Sequence, residues 1–225
     1  MTVPPTVSRQ ERSESTRTAI MDAAERLFAE EGLFAVSNRQ VSEAAGQGNN
    51  AAVGYHFGTK ADLVRAIVRR HSDAIEERRV RMVAQVRGSE DPRAWLACMV
   101  RPVTGHLAEL GRPTWFARFS VQVMADPGFR RIMAEEAMSA PSLREIMHAL
   151  DLRTRELPNQ VRRERGEMFR HIIVNLCADR ERNLAAGRPT LRATWDEAAT
   201  GMVDALHGLM LAAATPAEGG PGPHA

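Results

Sequence analysis

Three side chains able to grip a phosphate stand within one short stretch, YHFGTK: the hydroxyl of Tyr55, the imidazole of His56 and the ammonium of Lys60. Tyr55 is the only tyrosine of the chain and Lys60 the only lysine. Groups of this kind fix the register of a nucleic-acid backbone without reading its bases. Two blander roles compete: His56 as a structural histidine, and Lys60 as a solvated side chain. A lysine at a helix start opposes the helix dipole, and an incoming phosphate would give it a reason to be there. An enzyme is a rival class, but no nucleophile elbow, P-loop or dinucleotide fingerprint occurs. The glycines of GQGNN (46–50) follow a helix rather than a strand, so they form no phosphate cradle. The seven histidines and two cysteines lack metal-ligand spacing. No cofactor and no metal are expected.

Just before that stretch lie groups suited to base edges. Asn can pair bidentately with adenine, and Ala can touch a thymine methyl. Asn49, Asn50, Ala51 and Gly54 open a short helix whose outer face is small enough for a major groove. The elements that must hold them form a helix-turn-helix pattern. Ser37 or Asn38 caps a helix over Arg39–Ala45, Gly46 ends it, and Asn49 caps a second over Asn50–Phe57. Val41, Ala44, Ala45, Val53 and Phe57 make the inner face. The pattern is weak by itself, since helical bundles also join short helices with Gly-Asn turns.

The wider chain supplies the support. A preceding helix starts near Ser15 or Thr16, buries Ile20, Ala23, Ala24, Leu27 and Phe28, and stops at Gly32. Thr59 caps a fourth helix from Lys60 into the seventies. Three helices in about fifty residues bury little alone, so the fourth must fasten them to something larger. Helical segments follow at about 92–110, 113–125, 127–137, 141–156, 158–186 and 191–213, with prolines near their starts. With 44 % apolar and 5 % aromatic residues, the core rests on aliphatic side chains, which favours an all-α fold. A net charge of +2 makes any nucleic-acid site a local arrangement. Cys98 and Cys177 read as buried thiols in a reducing compartment. No signal sequence and no long apolar run occurs, so a cytoplasmic protein without a membrane partner is expected.

TAIMDAAERLFAEEGLFAVSNRQVSEAAG and AVGYHFGTKADLVRAI together resemble the DNA-binding domain of the tetracycline-repressor (TetR) family of bacterial regulators. The resemblance covers residues 16–70, about a quarter of the chain. It implies an all-α homodimer on double-stranded palindromic operator DNA, with a small-molecule effector site in the C-terminal domain. It implies a DNA-binding domain (15–71) and a ligand-binding and dimerisation domain (72–214), while composition makes the polar, Pro-containing start a disordered arm (1–14) and the Gly/Pro-rich end a disordered tail (215–225). Residue by residue, Arg39 matches a second-helix arginine that can reach a base. Ser37 and Asn38 match the phosphate-contacting cap region, and Asn50, Ala51 and Ala52 the base-reading helix start. Tyr55, His56 and Lys60 match phosphate contacts. Gly54 stands where the family usually has an aromatic or Asn, and the turn holding Gln47 and Asn49 runs one residue longer than the common form.

Two apolar stripes close the chain: Phe169, Ile173 and Leu176 on one helix, and Trp195, Ala199, Met202, Leu206, Leu209 and Ala213 on the next. Such stripes read as core. Through the resemblance they become a four-helix dimer interface. Trp95, Met99, His106, Trp115, Phe116, Phe119, Met124, His148 and Phe169 are the candidate lining of a pocket for a hydrophobic or aromatic molecule, though each could equally be core. The implied behaviour is a repressor released from its operator by that molecule. A helical adaptor that binds protein, and a DNA-binding regulator with no ligand, remain the alternatives.

Overall fold

Ser8 opens the first helix, α1 (Arg9–Glu31). Its hydroxyl accepts from the Glu11 amide, and the Glu11 carboxylate accepts from the Ser8 amide. Two donors left free at a helix start are thereby satisfied. The computed structural model describes residues 8–214. The expected arm over residues 1–14 is corrected from Ser8 onward, because SRQE is itself a capping box and carries the helix six residues further back. Residues 1–7 and the expected tail at 215–225 lie outside the described residues.

The remaining elements are α2 (Asn38–Ala44), α3 (Ala52–Phe57), α4 (Lys60–Val86), α5 (Pro92–Glu109), α6 (Phe116–Ala125), α7 (Pro127–Ser139), α8 (Pro141–Leu152), α9 (Asn159–Ala185) and α10 (Trp195–Leu211). No strand occurs among the described residues. Three more capping boxes set helix starts: Ser37 with Gln40, Thr59 with Asp62, and Thr194 with Glu197. Gly32 and Gly58 end α1 and α3 with φ of 94° and 77°, values that side-chain-bearing residues rarely adopt. Proline takes the first turn of α5, α7 and α8. Pro113 and Pro189 stand instead in the connections before α6 and α10, so those helices begin later than their prolines imply. The helix expected over 141–156 ends at Leu152 and is followed by turns.

α1, α2 and α3 form a head on the N-terminal half of α4, and α5–α10 form a body around the rest of it. α4 has 27 residues and so spans about 40 Å. Its buried face runs from one part to the other, through Leu63, Ile67 and Ile75 to Val83, with His71 and Arg79 as its polar members. Arg70 binds Asp22 at 2.6 Å and Glu25 at 2.7 Å on α1. One position earlier, Arg69 binds Glu136 of α7 through two nitrogens at 2.9 and 3.1 Å. α6 closes the seam, with Phe119 stacked on Phe28 of α1 at 6.3 Å between ring centres.

The stripes expected at a dimer interface are partly redirected. Phe169, Ile173, Ala199, Met202 and Leu206 are buried within the single chain, where α10 packs mainly on α5 and α9 on α6. Trp195 is half-buried beneath the Arg180 guanidinium, 5.0 Å from the ring centre. Leu176, 45 % exposed, and Ala213 face outward, with Leu209 half-buried. A helix face that reads as an interface in one dimension fills the nearest unburied surface first, and here α5 and α6 supply it.

Candidate nucleic-acid interface and the body cavity

The tip of the head is the α2–α3 corner. Asn49 turns the chain into α3: its side-chain oxygen accepts from the Ala51 amide at 2.9 Å and its carbonyl from the Ala52 amide at 3.0 Å. The helix proper therefore starts at Ala52, two residues after the expected Asn50. Asn50, Ala51 and Gly54 stand exposed beside it, and a methyl group at Gly54 would meet open space. Ala52 is buried against the core and is removed from the base-facing set. Gln47 turns back to the Ala45 carbonyl at 3.1 Å. On α2, Arg39 is exposed and leans on Glu43 at 2.7 Å, while Ser37 is committed to its cap and Asn38 is half-buried. Tyr55 is 80 % exposed. Its ring meets His56 edge-on at 5.0 Å, so hydroxyl and imidazole share one outward surface.

Lys60 departs from the clamp. Its ammonium turns inward and donates to the carbonyls of Leu33 at 2.8 Å and Val36 at 2.6 Å. It also lies 5.7 Å from the centre of the Phe28 ring. Burial lowers its pKa. The α1–α2 loop ends with two carbonyls that no helix can satisfy, and the lysine at the start of α4 closes that gap. Arg17, which the sequence reading passed over, braces the other end: its guanidinium donates to the His56 carbonyl and lies 4.4 Å from the Phe57 ring centre.

A buried polar relay joins head to body. His71 of α4 faces Glu25 of α1 through Nε2 at 2.8 Å and His106 of α5 through Nδ1 at 2.7 Å. Phe116 of α6 stacks on His71 at 3.8 Å between ring centres. Burial, then the neighbouring charges of His71 and Arg78, push the His106 pKa down to about 4, so this ring is neutral. Burial opposes ionisation of Glu25, but the hydrogen bond and charge of His71, with Arg70, outweigh it and hold the carboxyl below its usual range. His71 has a sequence signal. It falls on the apolar stripe Ile67–His71–Ile75–Arg79–Val83, spaced by four, where a polar residue is bound to be buried.

Beyond the relay, α4, α5, α6, α7 and α9 enclose a cavity of about 560 Å³. That volume is ordinary for a small-molecule site. Of the nine residues expected to line it, Phe116 and Met124 do. The others are used elsewhere. Trp95 donates its indole N–H to the Ser89 carbonyl and Trp115 to Glu30, each at 3.0 Å. Phe119 packs on α1, His106 belongs to the relay, and His148 is exposed. Met99 packs against the core and Phe169 is buried away from the cavity. The reason lies in α6, which is sandwiched. Phe116, Ser120 and Met124, spaced by four, face the cavity, while Phe119 faces the head. Cys177 also lines the cavity, and burial pushes its thiol up to about 12, which leaves it unreactive.

Comparison with known proteins agrees with this division. Residues 20–67 match the family of bacterial regulatory proteins named for tetR. A probable HTH-type transcriptional regulator, ArpR, from Pseudomonas putida is 33 % identical over 90 residues, which are 40 % of this chain and 40 % of that protein. The aligned stretch thus spans less than half the length of that relative. A TetR-family regulator from Marinobacter aquaeolei VT8 superposes with a TM-score of 0.62 at 18 % identity, over 89 % of this chain and 97 % of that one. NalD, the secondary repressor of the MexAB-OprM multidrug efflux pump in Pseudomonas aeruginosa, superposes with a TM-score of 0.53 at 23 % identity, over 88 % and 96 %. Head, long connecting helix and body thus follow one known arrangement, and the head, over residues 20–67, matches the tetR family of bacterial regulatory proteins.

Proposed function

We propose that this protein is a sequence-specific, operator-binding transcriptional regulator, acting as a homodimeric repressor that a small molecule releases from DNA. The observation that carries the DNA-binding part is the head's outer corner. Arg39, Asn50, Ala51, Gly54 and Tyr55 all stand outside the core on consecutive elements. Asn50 and Ala51 supply the base-edge chemistry, Arg39 a guanidinium, and Tyr55 with His56 the phosphate contacts. A dimer would use the outer faces of α9 and α10. Met168 and Leu176 are exposed on α9, and nothing among the described residues crowds Gly208 on α10. A two-fold axis there would set two recognition helices about 34–36 Å apart, one DNA turn.

Release follows from α6, which is a wall of the cavity on one side and the seat of the head on the other. A molecule that fits the cavity better when α6 is displaced would shift the population of head positions by its difference in affinity. Phe116 gives this a path, since it touches both the cavity and His71.

The test is binding to duplex DNA from the gene's own upstream region across a salt series. Wild type is expected to select a palindrome with steep salt dependence. Tyr55→Ala is expected to weaken binding alike on that site and on random duplex, and Asn50→Ala to narrow the gap between the two. Binding that ignores salt and duplex competitor would overturn the reading in favour of a protein-binding adaptor.

A further inference from the structure

The cavity wall carries a charge that its neighbours do not fully meet. Arg79 of α4 lines the cavity and is 7 % exposed. One terminal nitrogen donates to Glu76 at 3.0 Å. Among the described residues its Nε, wholly buried, has no hydrogen-bond partner, and none bonds the other terminal nitrogen. Glu76 is shared, since its carboxylate also accepts the Ser142 amide at 3.0 Å and the Ser142 hydroxyl at 2.6 Å. Burial pulls the Arg79 pKa down, as expected of a cation short of partners. Three other arginines, Arg78, Arg162 and Arg180, also leave Nε unpaired, but none of them lines the cavity.

The other charges at the cavity have the same sign or are already engaged. Glu136 is held by Arg69 and Arg65, and Glu167 by Arg170. Arg130 and Arg131 stand exposed on α7, Arg170 is half-buried and Arg79 is buried, so cations of graded exposure border the cavity. The walls between are apolar, with Ile75, Val103, Leu107 and Ile173 beside Phe116.

We propose that the cavity takes an amphipathic carboxylate, its acid group paired with the Arg79 guanidinium and its apolar body along α5, α6 and α9. A guanidinium offers a planar fork matched to a carboxylate. A buried cation with unmet donors gains most from an anion and rejects a second cation. The inference rests on the reading of the body as a ligand-sensing domain and names the class of molecule sensed.

Calorimetric titration of the full-length protein tests it with three ten-carbon probes below their micelle concentrations: decanoate, decan-1-ol and decyltrimethylammonium. Naphthoate with naphthalene-methanol serves as an aromatic acid and its neutral partner. In wild type, at least one acid binds about tenfold or more tightly than its alcohol, the range of a charged hydrogen bond, and the ammonium binds least. In Arg79→Met that preference shrinks to within about threefold while the alcohols still bind. The proposal is overturned if no acid outbinds its alcohol in wild type, which needs no variant to fold, or if Arg79→Met folds and keeps the preference. Operator release is measured separately. An acid that binds through Arg79 without loosening DNA sinks the repressor-release reading and leaves this one standing. Release by a neutral or cationic molecule, with no acid preference, does the reverse.

Discussion

In the head, Lys60 is turned inward onto two carbonyls at 2.6 and 2.8 Å and beside an aromatic ring, and its position is decided by the loop it closes. In the body, Arg79 is still more buried, yet among the described residues it has one shared carboxylate and an Nε with no partner. Both are cations on α4, five turns apart. The first acts as a structural bolt; the second keeps bonding capacity in hand beside a cavity. Burial of a charge by itself therefore says little about function. What separates the two is whether the donors are spent.

Removing the bolt should have the largest effect. Lys60→Met is expected to lower unfolding stability by about 3 kcal/mol, because the Leu33 and Val36 carbonyls lose a charged donor at a buried loop. Denaturant unfolding followed by circular dichroism reads it. A loss below half a kcal/mol would return Lys60 to the solvated or phosphate-binding role.

The seam between the two regions comes next. His106 titrates near 4 when folded, below the ordinary histidine value of 6.5. Between those limits the unfolded chain binds more protons than the folded one. Stability should thus be complete above pH 6.5 and fall as pH drops towards 4, by at most about 1.4 kcal/mol per pH unit from this group. Glu25, with its pKa lowered, adds a loss of the same sign below its ordinary value of 4.5. His106→Gln should flatten the slope of melting temperature against pH between 6.5 and 4. An unchanged slope would place the titration elsewhere.

The smallest effect is expected at the charge with donors to spare. Arg79→Met removes an under-partnered guanidinium but also leaves Glu76, itself bonded to Ser142, without a cation. The two changes oppose each other, and stability should stay within about 1 kcal/mol of wild type. A loss as large as that of Lys60→Met would erase the contrast between head and body.

Much of the head could be read from the residues in order. The cap at Ser37, the glycine stops and the Thr59 start to α4 are contacts between residues three or four apart, so composition and spacing reveal them. Even the misplaced start of α1 was legible in SRQE. The helix-turn-helix corner was legible too, except that Ala52 is turned inward and Asn49 is spent on its own turn. In the body the spacing located helices but not their partners. Phe119 and Phe116 lie on one short helix and serve opposite sides of it. His106 reads as a polar group for a ligand and is committed to His71 instead.

The sequence by itself determined that the chain is helical, where most helices start and stop, and that a short polar corner joins α2 to α3. These depend on hydrogen bonds and periodicities within a few residues. Only the tertiary structure decided that Lys60 closes a loop 24 to 27 residues away, that Glu25, His71 and His106 meet across three helices, and that Arg79 borders a cavity. Those outcomes depend on which buried surfaces find each other. An apolar or charged position on a helix constrains its own face but leaves the choice of partner to the packing of the whole chain.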